Sequence, residues 1–180
     1  MRIKEVNFPK NSMLSNSKYD YSDSFSGALI NTTAPEIKDI GNAFFLSSPQ
    51  WVDHLFKVRN KIVGLFGLKT GTTGVVQKKD FLVNTFDFEK GKRIGIFKIY
   101  NHNDHELILG ENDKHLDFKV SLLAGAESQS KKKLTISTIV KYHNFWGKLY
   151  FFPVKPFHKI IVKSMLKKTI QQIENSSTLA

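Results

Sequence analysis

At 180 residues the chain has the length of one ordinary domain and can bury a core without covalent staples. Its net charge of +11, from 27 Lys and Arg against 16 Asp and Glu, permits attraction to nucleic acid, anionic lipid or acidic ligands and specifies none of them. The absence of cysteine excludes disulfides, thiolate metal sites and a cysteine nucleophile.

Residues 1–18 mix charge, Asn and Ser with isolated apolar side chains and read as a polar lead-in without the apolar run of a secretory signal. Nothing approaches the ~18 consecutive apolar residues of a membrane span, so the expected location is cytoplasmic. Tyr19 to Phe25 then alternates, which predicts a first strand with Tyr19, Tyr21, Asp23 and Phe25 on one face. Asp23 among three aromatics either turns into solvent at the strand end or meets a ligand.

After the Asn31 to Pro35 loop, Ile37 to Leu46 suits a short helix, and Ser48-Pro49 supplies an N-cap and a first helical residue for a second, from Pro49 to about Phe66. Trp51, Leu55, Val58, Ile62 and Phe66 form its apolar stripe. Arg59 projects onto the apolar side, where it must be ion-paired, snorkel outward or recognise an anion in a pocket. Gly67 to Gly74, with Lys69-Thr70, echoes a phosphate loop but follows a helix and lacks a glycine before the lysine; it reads as a flexible loop.

Strands are predicted over Phe81 to Phe88, Ile94 to Asn101, Glu106 to Glu111, His115 to Ala124 and Leu134 to His143, joined by short turn-like separators as an antiparallel meander. The Lys131-Lys132-Lys133 run falls in the last of these turns. In His115 to Leu122 the apolar residues Leu116, Phe118, Val120 and Leu122 face one way and polar residues the other, so one sheet face is dry and needs a cover. Asp113, His115 and Asp117 alternate on the wet side, but a straight row of ligands converges poorly on one ion, and no metal site is expected. His143 lacks the companions of a hydrolase triad.

The cover is a helix from Pro156 to Ile173, with Ile161, Val162, Met165, Leu166 and Ile173 on one side and Lys159, Lys163 and Lys167 on the other. The aromatic Phe145 to Phe152 segment before it is partly helical by pattern, and Pro153 and Pro156 predict a kink or break. His158 falls within the apolar face, as a hydrogen-bonded core histidine or as a polar group displayed in a cavity.

The strings Ser48-Pro-Gln-Trp-Val, Val58 to Lys69, Leu109 to Lys119, Tyr142 to Tyr150 and Lys155-Pro-Phe-His158 resemble the bacterial family catalogued as domain of unknown function 2867, in consistent order from about Asp20 to Lys168. That family is placed with START-like, Bet v 1-like (birch-pollen-allergen) and polyketide-cyclase proteins of the SRPBCC-like, helix-grip superfamily. The resemblance implies a helix-grip fold, a curved antiparallel sheet wrapped around a long C-terminal helix, which agrees with the α+β pattern of strands and final helix; the two helices read from residues 37–66 are inserted after the first strand. It also implies a hydrophobic cavity for an apolar small molecule, and, since some members are fused to one, a dinucleotide-dependent oxidoreductase as a partner. This chain has no Gly-x-Gly-x-x-Gly after a strand to hold a dinucleotide, and no cofactor is expected.

One domain is therefore expected over 19–175, with a flexible tail at 176–180. The leading functional reading is a non-catalytic binding module that holds an apolar or amphipathic small molecule against Trp51, Tyr100, Phe118 and Met165, with Arg59, His158 and Asp23 as polar contacts. A cyclase- or dehydratase-like enzyme using His158 as acid or base is the alternative. A third reading is a basic peripheral membrane binder, or less readily a nucleic-acid binder, acting through Lys159, Lys163 and Lys167.

Overall fold

Period-two alternation along the chain builds one antiparallel sheet, in the residues that the computed structural model describes: 2–30, 35–46, 89–94, 97–128 and 131–178. The strands are β1 (Lys4–Glu5), β2 (Tyr21–Leu29), β3 (Arg93–Ile94), β4 (Phe97–His102), β5 (Glu106–Asn112), β6 (Leu116–Ser128) and β7 (Lys131–Tyr142). Two helices, α1 (Ile37–Leu46) and α2 (Phe145–Thr178), complete the elements among the described residues. The spatial order β1-β2-β7-β6-β5-β4-β3 makes β3 to β7 a meander and brings the early strand β2 against the last strand β7. This α+β architecture, with a long C-terminal helix on an antiparallel sheet, is consistent with a helix-grip-like fold. The helix expected over 49–66 with Trp51 and Arg59, the loop over 67–74 and the strand over 81–88 lie outside the described residues.

The sheet has two unlike faces. Toward α2 it presents Phe25, Leu107, Leu109, Leu122, Leu134 and Ile136, which pack with Leu166 and Ile170 of the helix and with Ile40 and Phe44 of α1. Burying a side chain such as Leu166 or Ile170, both fully enclosed, contributes ~2 kcal/mol each. On the other face the ladder pairs small polar residues, Ser24 with Ser137 and Ser137 with Ser121, beside a smaller apolar cluster of Leu14, Ile108 and Ile139.

Residues 1–18 are not simply a polar lead-in. Lys4 and Glu5 pair with Ser26 and Phe25 as an edge strand. Ser12 and Leu14 are buried on the outer sheet face, because the Ser12 hydroxyl finds a buried acceptor there, Glu106 Oε1 at 2.5 Å.

Three further expectations are corrected. The strand expected over 94–101 is two strands, since Ile94 pairs with Phe97 across a chain reversal. The lysine run at 131–133 is not in a turn but opens β7, Lys132 pairing with Ala126 and Leu29, since ladder bonds are made by the backbone whatever the side chain. Finally, of the kink or break expected at Pro153 and Pro156 there is no break: α2 runs unbroken from Phe145 with both prolines inside it. Both prolines, and the residues one turn earlier, Leu149 and Phe152, are exposed, so water can take the carbonyls that the proline rings leave unbonded.

The start of α2 is fixed locally. The Asn144 side chain accepts a hydrogen bond from the Gly147 backbone N–H at 3.1 Å, an N-cap, and packs against the turn before β6 through His115 Nδ1 at 3.0 Å. A Cβ on Gly147 would sit 2.0 Å from the His115 carbonyl oxygen. Gly147→Ala should therefore destabilise by ~2 kcal/mol in urea unfolding, although alanine is the better helix former; an unchanged or raised midpoint would show that this close approach is absent.

Candidate functional site between sheet and helix

Strand alternation places Tyr21, Asp23 and Phe25 on the face of β2 that looks toward α2, and helical phase places His158 on the face of α2 that looks back. The two meet. His158 Nε2 lies 3.4 Å from Asp23 Oδ1, and the Tyr21 hydroxyl donates to Asp23 Oδ2 at 2.5 Å. The Asp23 side chain is 1% exposed and that of His158 18%, so the pair is withdrawn from bulk water with the imidazole at its more accessible edge.

Aromatic groups wall this cluster. The Phe151 ring centroid is 4.9 Å from that of Tyr21 and 6.3 Å from that of His158, and Lys155 Nζ stands 4.8 Å over the Tyr21 ring. Leu116, Val140 and Phe151 form an apolar cluster against which Tyr21, Phe118 and Val154 pack. Thr138 lies opposite Asp23 in the β2–β7 ladder and so shares its face. Its hydroxyl is buried and has no hydrogen-bond partner among the described residues. A buried orphan hydroxyl costs ~1–3 kcal/mol.

Burial alone would raise the Asp23 carboxyl, but the hydrogen bond and charge of His158, the Tyr21 hydroxyl and the nearby Lys159 outweigh it and hold the group below its ordinary 3.8. Burial, reinforced by the hydrogen bond to Asp23 and its charge, pushes the Tyr21 phenol well above its ordinary 10.0. The cluster at neutral pH therefore combines a carboxylate, a neutral phenol donating to it and an imidazole oriented by it. The partly exposed His158 imidazole and the Thr138 hydroxyl offer polar contact beside an otherwise apolar wall. The same groups could move a proton.

Of the residues singled out by sequence, Asp23 and His158 come together, Phe118 packs against the same apolar cluster, and Met165 is a core residue two turns beyond His158 on α2. Tyr100 is not with them. It packs on the opposite sheet face, against the Leu14, Ile108 and Ile139 cluster, and its hydroxyl donates to Asn112 Oδ1 at 2.6 Å. The physical reason is strand parity, since Phe97 and Ile99 take the face toward α2. Trp51 and Arg59 are outside the described residues.

Sequence reasoning missed Tyr21, Thr138 and Phe151. Tyr21 shares the parity of Asp23, a legible signal; Thr138 and Phe151 become relevant only through the pairing of β2 with β7 and the docking of α2. The row Asp113, His115 and Asp117, of which only Asp117 lies on β6, does not act together: Asp117 lies 2.9 Å from His143 Nε2, and His115 contacts Asn144. Among the described residues no group of three or more potential metal ligands converges.

A family model described as a protein of unknown function, DUF2867, matches residues 16–165, from just before β2 to Met165 in α2. No curated protein and no solved structure matches the chain.

Proposed function

The chain belongs to the DUF2867 family of proteins of unknown function, and from that premise we propose that it is a small-molecule-binding domain whose amphipathic ligand lies between sheet and α2, its polar end on His158, Asp23 and Thr138. The observation that carries this reading is the buried Thr138 hydroxyl, without a hydrogen-bond partner among the described residues, on the same face as the Asp23–His158 pair. Proteins seldom leave such a group unbonded without use, and a ligand oxygen or N–H would satisfy it. Membership of the helix-grip superfamily, with its START-like and Bet v 1-like ligand carriers, is part of the same proposal. An oxidoreductase partner would be the consumer or supplier of the ligand.

Native mass spectrometry of the purified protein should show a bound small molecule, and Thr138→Val should reduce its occupancy about tenfold while leaving the apo fold as stable or ~1 kcal/mol more stable. A ligand-free wild type after gentle purification, or an unaffected Thr138→Val complex, would refute the reading.

The 3.4 Å contact between His158 and Asp23 also favours a second reading, an enzyme of the cyclase or dehydratase kind. There the carboxylate orients the imidazole and the imidazole serves as acid or base. That version expects His158→Ala to abolish turnover of the identified ligand with binding changed less than tenfold or so.

A further inference from the structure

The half of α2 that begins at Phe145 is apolar on two sides. One side faces the sheet through Phe151, Val154 and Val162. The other carries Phe145, Trp146, Leu149, Phe152, Phe157 and Ile160, which are 44–78% exposed. At about 100° per residue these six fall within an arc of roughly 140°, along about 24 Å of helix, on the side opposite His158. Isolated exposed apolar residues need no explanation, but a contiguous aromatic stripe of this size does.

The charge around the stripe is one-sided. Residues 145–168 contain six lysines and no aspartate or glutamate. Lys148, Lys155 and Lys159 flank the stripe, and Lys163 and Lys167 continue its line beyond Ile160. Lys159 is bridged to Glu5 at 2.7 Å; Glu5 lies on β1, and residues 145–168 of the helix offer no counter-charge of their own to these lysines. A second copy of this chain docking through the same face would meet lysines with no acidic residue from that segment to pair them. An anionic lipid surface supplies the missing charge, takes aromatic rings at its headgroup boundary and lets lysine stems extend toward phosphates. No helix among the described residues is long and apolar enough to cross a membrane, so the contact is one of lying on the surface.

We propose that the exposed Phe145–Ile160 stripe of α2 and its lysine flank form a docking face for an anionic membrane surface. Its inner face would meanwhile hold the Asp23–His158 cluster, so a lipid-soluble ligand would have its binding site and its source on two sides of one helix. The docking face does not depend on the ligand-binding reading.

Sedimentation with vesicles of phosphatidylcholine containing about 30% phosphatidylserine tests the proposal at low salt, where surface electrostatics are strongest. Wild type should bind those vesicles about tenfold or more better than pure phosphatidylcholine. Phe152→Asp with Phe157→Asp should lower that binding about tenfold or more, with the thermal midpoint unchanged because both side chains are exposed. Lys148→Glu with Lys167→Glu should lower it comparably. Failure of wild type to sediment with the anionic vesicles overturns the proposal, as does equal binding by the Phe152/Phe157 variant. So does a concentration-dependent dimer that the same variant abolishes, which would assign the face to a second copy.

Discussion

Glu106→Ala should cost ~3–5 kcal/mol of stability and release the amino-terminal segment from the sheet. Glu106 is 1% exposed, and among the described residues no cation lies within ion-pair distance of it. Its carboxyl is held by donors alone: the Ser12 and Ser121 hydroxyls on Oε1, each at 2.5 Å, and the Met13 backbone N–H on Oε2 at 2.7 Å. Two of those donors belong to a segment more than ninety residues away in sequence, so this one side chain fastens residues 8–14 onto the outer sheet face. Removing it strands three donors, of which the two hydroxyls are on fully buried residues. Glu106→Gln sharpens the test, since its amide oxygen can still accept from both serines while its NH2 group would oppose the Met13 N–H. The expected order in urea unfolding is wild type, then Gln, then Ala, with amide exchange accelerated at residues 12–14 in both variants. Exchange unchanged in Glu106→Ala would mean that the segment is anchored by Leu14 and its apolar neighbours instead.

Asp23 and Glu106 are both buried carboxyls, one on each sheet face, and their partners distinguish their roles. Glu106 has donors for both oxygens from groups that are otherwise enclosed, so its network is closed and structural. Asp23 shares its oxygens between Tyr21 and the partly exposed imidazole of His158, beside the Thr138 hydroxyl, which has no hydrogen-bond partner among the described residues. Closed networks specify a fold; open ones leave room for something to be bound.

The same contrast explains what was legible in the sequence. Period-two alternation showed Tyr21, Asp23 and Phe25 on one face of β2, and helical phase showed His158 on the apolar face of α2, because both are properties of a single element. Their meeting is a property of strand order and docking, which local patterns do not carry. Where local rules were applied alone they failed in physical ways. Proline chemistry points to a kink or break at Pro153 and Pro156, yet there is no break: the helix runs on through both, with Phe151 and Val154 packed on the sheet side. Polarity marked residues 1–18 as solvent-facing, yet Ser12 is buried because its acceptor sits on β5. Tyr100 was assigned to the helix side, yet in β4 it is Ile99 that takes that face.

Asp23→Asn should destabilise by ~2–3 kcal/mol at neutral pH, and this difference from wild type should vanish only in acid. The folded-state carboxyl titrates below its ordinary 3.8, held there against the cost of burial chiefly by His158. A group depressed on folding contributes fully above its unfolded value and loses that contribution as pH falls through its folded value. The wild-type advantage should thus be flat from pH 7 to about 5, and shrink below about 3.8 as protons bind. Tyr21 predicts the opposite limb: its phenol is raised on folding, so stability should fall as pH climbs beyond 10.0, where the unfolded chain ionises and the folded one resists. Tyr21→Phe should make that alkaline fall shallower, the remainder coming from Tyr100 and Tyr142, whose phenols burial also raises, and, by taking a donor from Asp23, weaken the acid-side advantage without abolishing it. Chemical denaturation of the three proteins across pH 3–11 measures both limbs. If wild type and Asp23→Asn stay parallel below 3.8, the Asp23 carboxyl is not depressed and the contact with His158 does not hold it ionised. The ligand test then discriminates further, because a molecule seated on this cluster and bound to the folded state alone should add its own stabilisation to wild type and less to either variant.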